Sequence, residues 1–359
     1  MDDAFALMRA WAAEEEAAGA GEEGAGAKPA APAPAPRSRA LDLAAFASRC
    51  QVVWPVLDPL ARALPPAAAA LLIRPALAAR AAEAEALSAE FRRLAALLDA
   101  AGVEAVAIKA AAAIAETGGA PALWREMVDF DLLVAPDDLP RAVEALIAAG
   151  YRGDVDAYVS TDYHFPALFP PPGGMRTVEL HTRLGWSRRG LLSRLARRTA
   201  PSPLAGIRLP SADDRLAHLV HHAQAGDRRF AQRTARLRDA LDWRVLIDRR
   251  GADAAAAAAA FEADGAGPAF HAFAALMERV WGRREAGLSA PSPAAEAWAA
   301  AALDAIADPA LAARRREDDR RAALVSAVTT RETLHHLVAG TLNPDRLRRF
   351  LRRLHGHAD

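Results

Sequence analysis

Residues 128–134 read VDFDLLV, with Asp129 and Asp131 one residue apart inside an apolar run. Strand side chains alternate between faces, so Val128, Phe130, Leu132 and Val134 are expected to point one way and the two aspartates the other. The run is read as a half-buried strand with an acidic edge. Same-face neighbours on a strand stand about 7 Å apart, and two carboxylates held that close repel each other and resist drying. Something cationic should neutralise them. Water at an exposed strand end, a nearby arginine such as Arg125, and a divalent metal are all open, because Mg2+ favours a couple of carboxylates plus phosphates and waters.

The 359 residues are 52% hydrophobic, enough for two modest domains, and 45 basic residues balance 45 acidic ones. Whole-chain charge therefore argues neither for nor against a nucleic-acid partner, and any basic surface must be local. The single cysteine, Cys50, excludes an internal disulfide and a cysteine-based zinc site, which fits a reducing, cytoplasmic setting. No uncharged stretch approaches the roughly 18 apolar residues that span a bilayer, so no membrane role is expected.

Working outward, residues 1–40 are read as a short N-terminal helix and an Ala/Pro/Gly linker (19–40), which is expected to be disordered. Phe5, Met8, Trp11 and Ala12 can line one side of that helix, although a frayed terminus is the simpler expectation than docking. Helical spacing of Leu87, Phe91, Leu94 and Leu98 ends at Gly102. VEAVAIK (103–109) then reads as a buried strand, followed by the small-residue helix AAAAIAE. Asp137 and Asp138 are expected to cap a helix containing Leu139, Val143, Leu146 and Ile147, which Gly150 ends. HFPALF (164–169) and MRTVELHT (175–182) flank PPPGG and suggest a hairpin, with Pro166 confining the first to an edge. Alternation in the second puts Glu179 and His181 on one face. Beyond Trp186 no strand is expected. Segments near 188–199, 211–225, 232–250, 266–282, 290–306, 311–328 and 343–355 carry helical spacing.

The fold expected is α+β, with a small mixed sheet in residues 41–186 and a helical domain over 187–359. Ile108-Lys109-Ala110, the run from Arg125 to Val134, Gly150-Tyr151 and Val178-Glu179-Leu180-His181 occur in an order that resembles the uncharacterised nucleotidyltransferase family of the polymerase β superfamily. The likeness spans residues 87–186, and is weaker through LAHLVHHAQ and residues 236–239.

That resemblance implies an Mg2+-dependent transfer of a nucleoside monophosphate from an NTP, ATP being the expected one, to an acceptor hydroxyl with release of pyrophosphate. It implies that Asp129, Asp131 and Glu179 are the metal ligands and catalytic acids. A triphosphate carries about four negative charges, which bound metal would offset while orienting the α-phosphate. Lys109 matches a lysine expected to hold phosphate, but the glycine that follows it in the family is Ala110 here, whose methyl limits backbone approach. Arg125 either clamps phosphate or pairs with the aspartates. His181 either orients Glu179, contacts the nucleotide or makes a structural hydrogen bond. The acceptor can be a small molecule, peptide, protein or RNA end. The alternative is a noncatalytic module that keeps the fold to bind a nucleotide or protein.

Three further features are read more plainly. His218, His221 and His222 sit at one-turn spacing without an H-E-x-x-H signature, so helix packing is expected before metal binding. Asp239 resembles a family acid facing the cleft, yet pairing with Arg236 or Arg238 is the plainer role. The RRFAQRTARLR run (228–238) is expected to be a solvated helix face rather than a phosphate patch.

Overall fold

The computed structural model describes residues 1–19, 37–154, 164–184, 191 and 198–329. Most of the linker read over 19–40, most of the helix expected at 188–199 and the one at 343–355 lie outside the described residues.

A long helix, α5 (Arg74–Ala100), leads into the sheet. Leu87, Phe91, Leu94 and Leu98 are all fully buried along one side of it. Gly102 stops the helix with φ +67°, a conformation that costs glycine nothing. β1 (Ala105–Ala107) follows and runs directly into α6 (Lys109–Glu116), whose alanines 110–113 and 115 are buried and let the helix lie close to the sheet. β2 (Asp129–Val134), α7 (Leu139–Ala148) and β3 (Thr177–His181) complete the expected elements. Strand β2 pairs antiparallel to β1 and parallel to β3. Phe130, Leu132, Val134, Val178 and Leu180 form the buried face, and Phe130 packs on Phe91 with ring centroids 5.4 Å apart.

Several expectations need correction. Val128 lies before β2 and is 52% exposed, so it does not share the core face. Asp138 makes no capping bond to α7 and pairs with Arg141 instead. The segment 164–169 joins β3 through single bridges, His164 to His181 and Leu168 to Val178, because Pro166 has no N–H for a continuous ladder. The sheet also continues past residue 186. β4 (Thr199–Pro201) and β5 (Ile207–Pro210) form a short antiparallel pair, and β5 runs parallel to β1, giving the order β3-β2-β1-β5-β4.

The remaining helices share a second apolar core. It joins α1 (Asp2–Gly19), α2 (Arg37–Arg49), α3 (Val53–Ala63) and α4 (Pro66–Leu72) to helices from the C-terminal half. Those are α8 (Ala212–His221), α10 (Leu237–Asp248), α11 (Ala254–Asp264), α12 (Gly267–Trp281) and α13 (Pro293–Ala307); the short α9 (Arg229–Gln232) lies between α8 and α10, and α14 (Pro309–Thr329) follows. Trp243 is fully buried between Phe270 and Phe273, at 5.8 and 5.7 Å. The N-terminal helix is docked rather than frayed. Phe5, Met8 and Trp11 are buried in this core, and Arg9 Nε donates to the Val280 carbonyl at 2.7 Å. Burying an aromatic side chain is worth about 1.5–3 kcal/mol, which outweighs the tendency of a terminus to stay loose.

Candidate active site

Register brings the acids together. Asp131 stands opposite Glu179 and Leu133 opposite His181 on adjacent parallel strands, so Asp129, Asp131, Glu179 and His181 share the face away from Phe130. The Ile108 amide donates to the Asp131 carbonyl at 3.2 Å, which sets the residue after it beside the acids. That residue is Lys109. Its backbone is left-handed, with φ +50°, which is uncommon for a residue with a Cβ and costs about 1–3 kcal/mol. Its Nζ reaches Asp131 Oδ1 at 2.6 Å. The left-handed position is therefore Lys109, and Ala110 is an ordinary buried helix residue.

Asp131 is 1% exposed and shares Oδ1 between Lys109 and His181 Nε2, the latter at 2.9 Å. Burial alone would raise its pKa, but the His181 hydrogen bond and the Lys109 charge hold it well below the usual carboxylate range. Its other oxygen, Oδ2, is buried and has no hydrogen-bond partner. Asp129 goes the opposite way. Burial first, and then the charge of Asp131, push it up to about 7. Lys109 is raised as well, since Asp131 overcomes the effect of burial.

Ligand atoms of Asp131, Glu179 and His181 all lie within 4.8 Å of one another. An acceptor-only carboxylate oxygen, dry and without a donor, is the atom a cation would satisfy, and two carboxylates with one imidazole suit a divalent ion. The residues thus fit a metal. The set that closes to ligand distances contains His181, and Asp129 stands beside it on the same strand face. His181 Nε2 is 3.7 Å from Glu179 Oε2 and closer to Asp131, so its bond is to the second aspartate.

The acids open into a cleft of about 670 Å3. Arg125 lines it but is 5% exposed and pairs with Asp242, Nε to Oδ1 at 2.8 Å, and not with Asp129 or Asp131. Arg80 fixes that loop by donating to the carbonyls of Ala122, Leu123 and Arg125. The opposite wall comes from the helical half. His218, His221 and His222 line the cleft, followed by a π-helical turn at His222–Gly226 that widens the helix end there. Burial, and next the charge of Lys109, lower His222 to about 4, so its ring is neutral at neutral pH. Arg236 and Arg238 line the same wall, so the 228–238 run is not simply a solvated face. Asp239 is buried, with Oδ1 3.8 Å from Arg238 Nε, as the pairing reading expected. The one-turn histidine spacing, the weaker likeness through LAHLVHHAQ and residues 236–239 and the basic run 228–238 were the sequence signals for this wall.

Comparison with known proteins agrees with this arrangement. The family described as uncharacterised nucleotidyltransferase matches residues 36–282. The chain belongs to that family. Among curated proteins and among solved structures, none matches this chain. The match reaches well past the sheet and takes in the helical wall of the cleft, including α8 and α10. No described helix is long and apolar enough to cross a membrane.

Proposed function

We propose that the protein transfers a nucleoside monophosphate from an NTP, ATP first among them, to an acceptor hydroxyl with release of pyrophosphate. One observation carries the reading beyond family membership: Asp131, whose buried Oδ2 has no donor, closes to ligand distances with Glu179 and His181, and those two line the open cleft beside it. Mg2+ is the cation proposed; when bound it offsets phosphate charge and orients the α-phosphate. Asp131 and Glu179 would hold it, with Asp129 adding charge at the strand start. Lys109 supplies a point charge for the phosphate chain, from an ammonium that already stands over Asp131.

In the reaction the acceptor oxygen forms a bond to the α-phosphorus, and the bond to the β-phosphate oxygen breaks. The electron pair leaves with pyrophosphate. Glu179, partly exposed beside the paired Asp131, is placed to receive the hydroxyl proton directly or through water. The single cysteine, Cys50, accords with a reducing, cytoplasmic setting.

The test incubates full-length protein with each NTP labelled at the α-phosphate, Mg2+ and cell extract, and follows the label. Label moving to a small molecule, peptide, protein or RNA end, and absent with Asp131→Asn, supports the reading. No transfer from any NTP by folded wild-type protein, with nucleotide binding retained, would identify a binding module instead.

A further inference from the structure

The acidic side of the cleft faces a wall of opposite charge. Arg236 and Arg238 line the same cleft as Asp129, Glu179 and His181. They bracket the amino end of α10, where Arg236 has extended backbone (φ −114°, ψ 134°) and no side chain caps the helix. Around them, Arg229 and Arg236 both reach Asp227 at 3.2 Å, and Arg125 is taken by Asp242. Arg238 is held more loosely. Its side chain, 12% exposed, makes an ion pair with Asp239, Nε to Oδ1 at 3.8 Å, and that nitrogen has no hydrogen-bond partner.

Among the described residues here, the guanidiniums of Arg125, Arg229, Arg236 and Arg238 are met by the carboxylates of Asp227, Asp239 and Asp242, and Glu126 on the same cleft adds a fourth negative charge near Arg238. Burial and then the charge of Arg229 press Arg236 below its usual pKa, and burial and then Arg125 do the same to Arg238. The charges balance in number, but Arg236 and Arg238 line the cleft on its helical side. A guanidinium that lines a cleft suits phosphate, which it meets with a planar fork. The uncapped amides of α10 favour an anion at the same place.

We infer that Arg236 and Arg238 form a phosphate-gripping pair on the helical wall that takes the β- and γ-phosphates of the nucleotide. The pair would hold the pyrophosphate portion across the cleft from the acids, leaving the α-phosphate between the two walls. This rests on the nucleotidyl-transfer reading for the identity of the molecule that carries the phosphates. A phosphorylated acceptor is the other source of the same chemistry.

Calorimetric titration of the full chain with inorganic tripolyphosphate, ATP and AMP, each with Mg2+, separates these. Arg236→Gln and Arg238→Gln are expected to weaken tripolyphosphate and ATP at least tenfold and AMP less than twofold, because AMP lacks the gripped groups. Arg238→Lys, which keeps the charge but loses the fork, should fall between. Unchanged ATP affinity in folded Arg236→Gln would overturn the inference, and is what a site for acceptor phosphate would give. Arg236, 38% exposed at its side chain, decides the matter if Arg238→Gln does not fold. Failure of the two readings is distinguishable. Loss of tripolyphosphate binding in Arg236→Gln, with a wild type that transfers nothing, keeps the anion site and removes nucleotidyl transfer. Transfer that proceeds with wild-type ATP affinity in Arg236→Gln removes the anion site alone.

Discussion

Lys109 Nζ takes one oxygen of Asp131, at 2.6 Å, and leaves the other buried and without a donor. The ammonium therefore competes for the charge a metal would use. Lys109→Met should tighten binding of Mn2+, a spectroscopic substitute for Mg2+, by about threefold to tenfold, since nearby opposite charges in a partly dry site interact by a few kcal/mol at most. The same variant should bind ATP more weakly. Electron paramagnetic resonance titration of Mn2+ checks the first effect, and weaker Mn2+ binding would show that Lys109 orders the acids rather than competing with the ion.

Asp129 links pH to stability. Its folded pKa, near 7, lies above the ordinary carboxylate value, so the folded state holds its proton where the unfolded chain has released it. Metal-free protein should then lose stability as pH rises from about 4 to about 7, and stay at the lower level above that. Asp129→Asn, which cannot ionise, should melt at a higher temperature than wild type at pH 8, with the difference vanishing near pH 4. Thermal unfolding in a chelator across that range measures it, and equal melting temperatures at pH 8 would refute the assignment.

Arg125 and Asp242 are a buried pair joined from distant parts of the chain. Arg125→Met strands a buried carboxylate and should cost about 3–5 kcal/mol in urea unfolding. Arg125→Met with Asp242→Leu should recover most of that loss. Because Arg125 is committed to Asp242, the double variant should lose less ATP affinity than Arg236→Gln; a larger loss would assign Arg125 to the nucleotide.

Trp11 tests the docked N-terminal helix. It is 2% exposed, so Trp11→Ala should destabilise the protein by about 3–5 kcal/mol. Tripolyphosphate affinity of the folded fraction should hold, since α1 does not line the cleft. An unchanged unfolding midpoint would mean that the helix contributes nothing in solution.

What the sequence made legible was local. Period-two alternation put Asp129 and Asp131 on one face of their strand and Glu179 and His181 on one face of theirs, and register then brought the two strands together. The helix of Leu87, Phe91, Leu94 and Leu98 was equally plain. β4 and β5 were not, because three- and four-residue strands ending in proline carry too little alternation to stand out among Arg-rich helices. Nor was the partner of Arg125: nothing near it in sequence points to Asp242. Arg236 and Arg238 read as a solvated face because local spacing does not say which side of α10 meets the sheet. The docking of Trp11 likewise depends on helices from the far end of the chain.

The pairing of β5 with β1 also bears on how the chain folds as it is made. β1 meets β2 across α6 and the loop after it, but its other edge stays open until Ile207–Pro210 has been synthesised. An unpaired strand edge is a template for association with other chains. On a ribosome the nascent sheet would expose that edge while roughly a hundred residues are added, some 5–20 s at ordinary elongation rates. Chains stalled or cleaved before residue 207 should therefore aggregate through β1, whereas chains released after it should not.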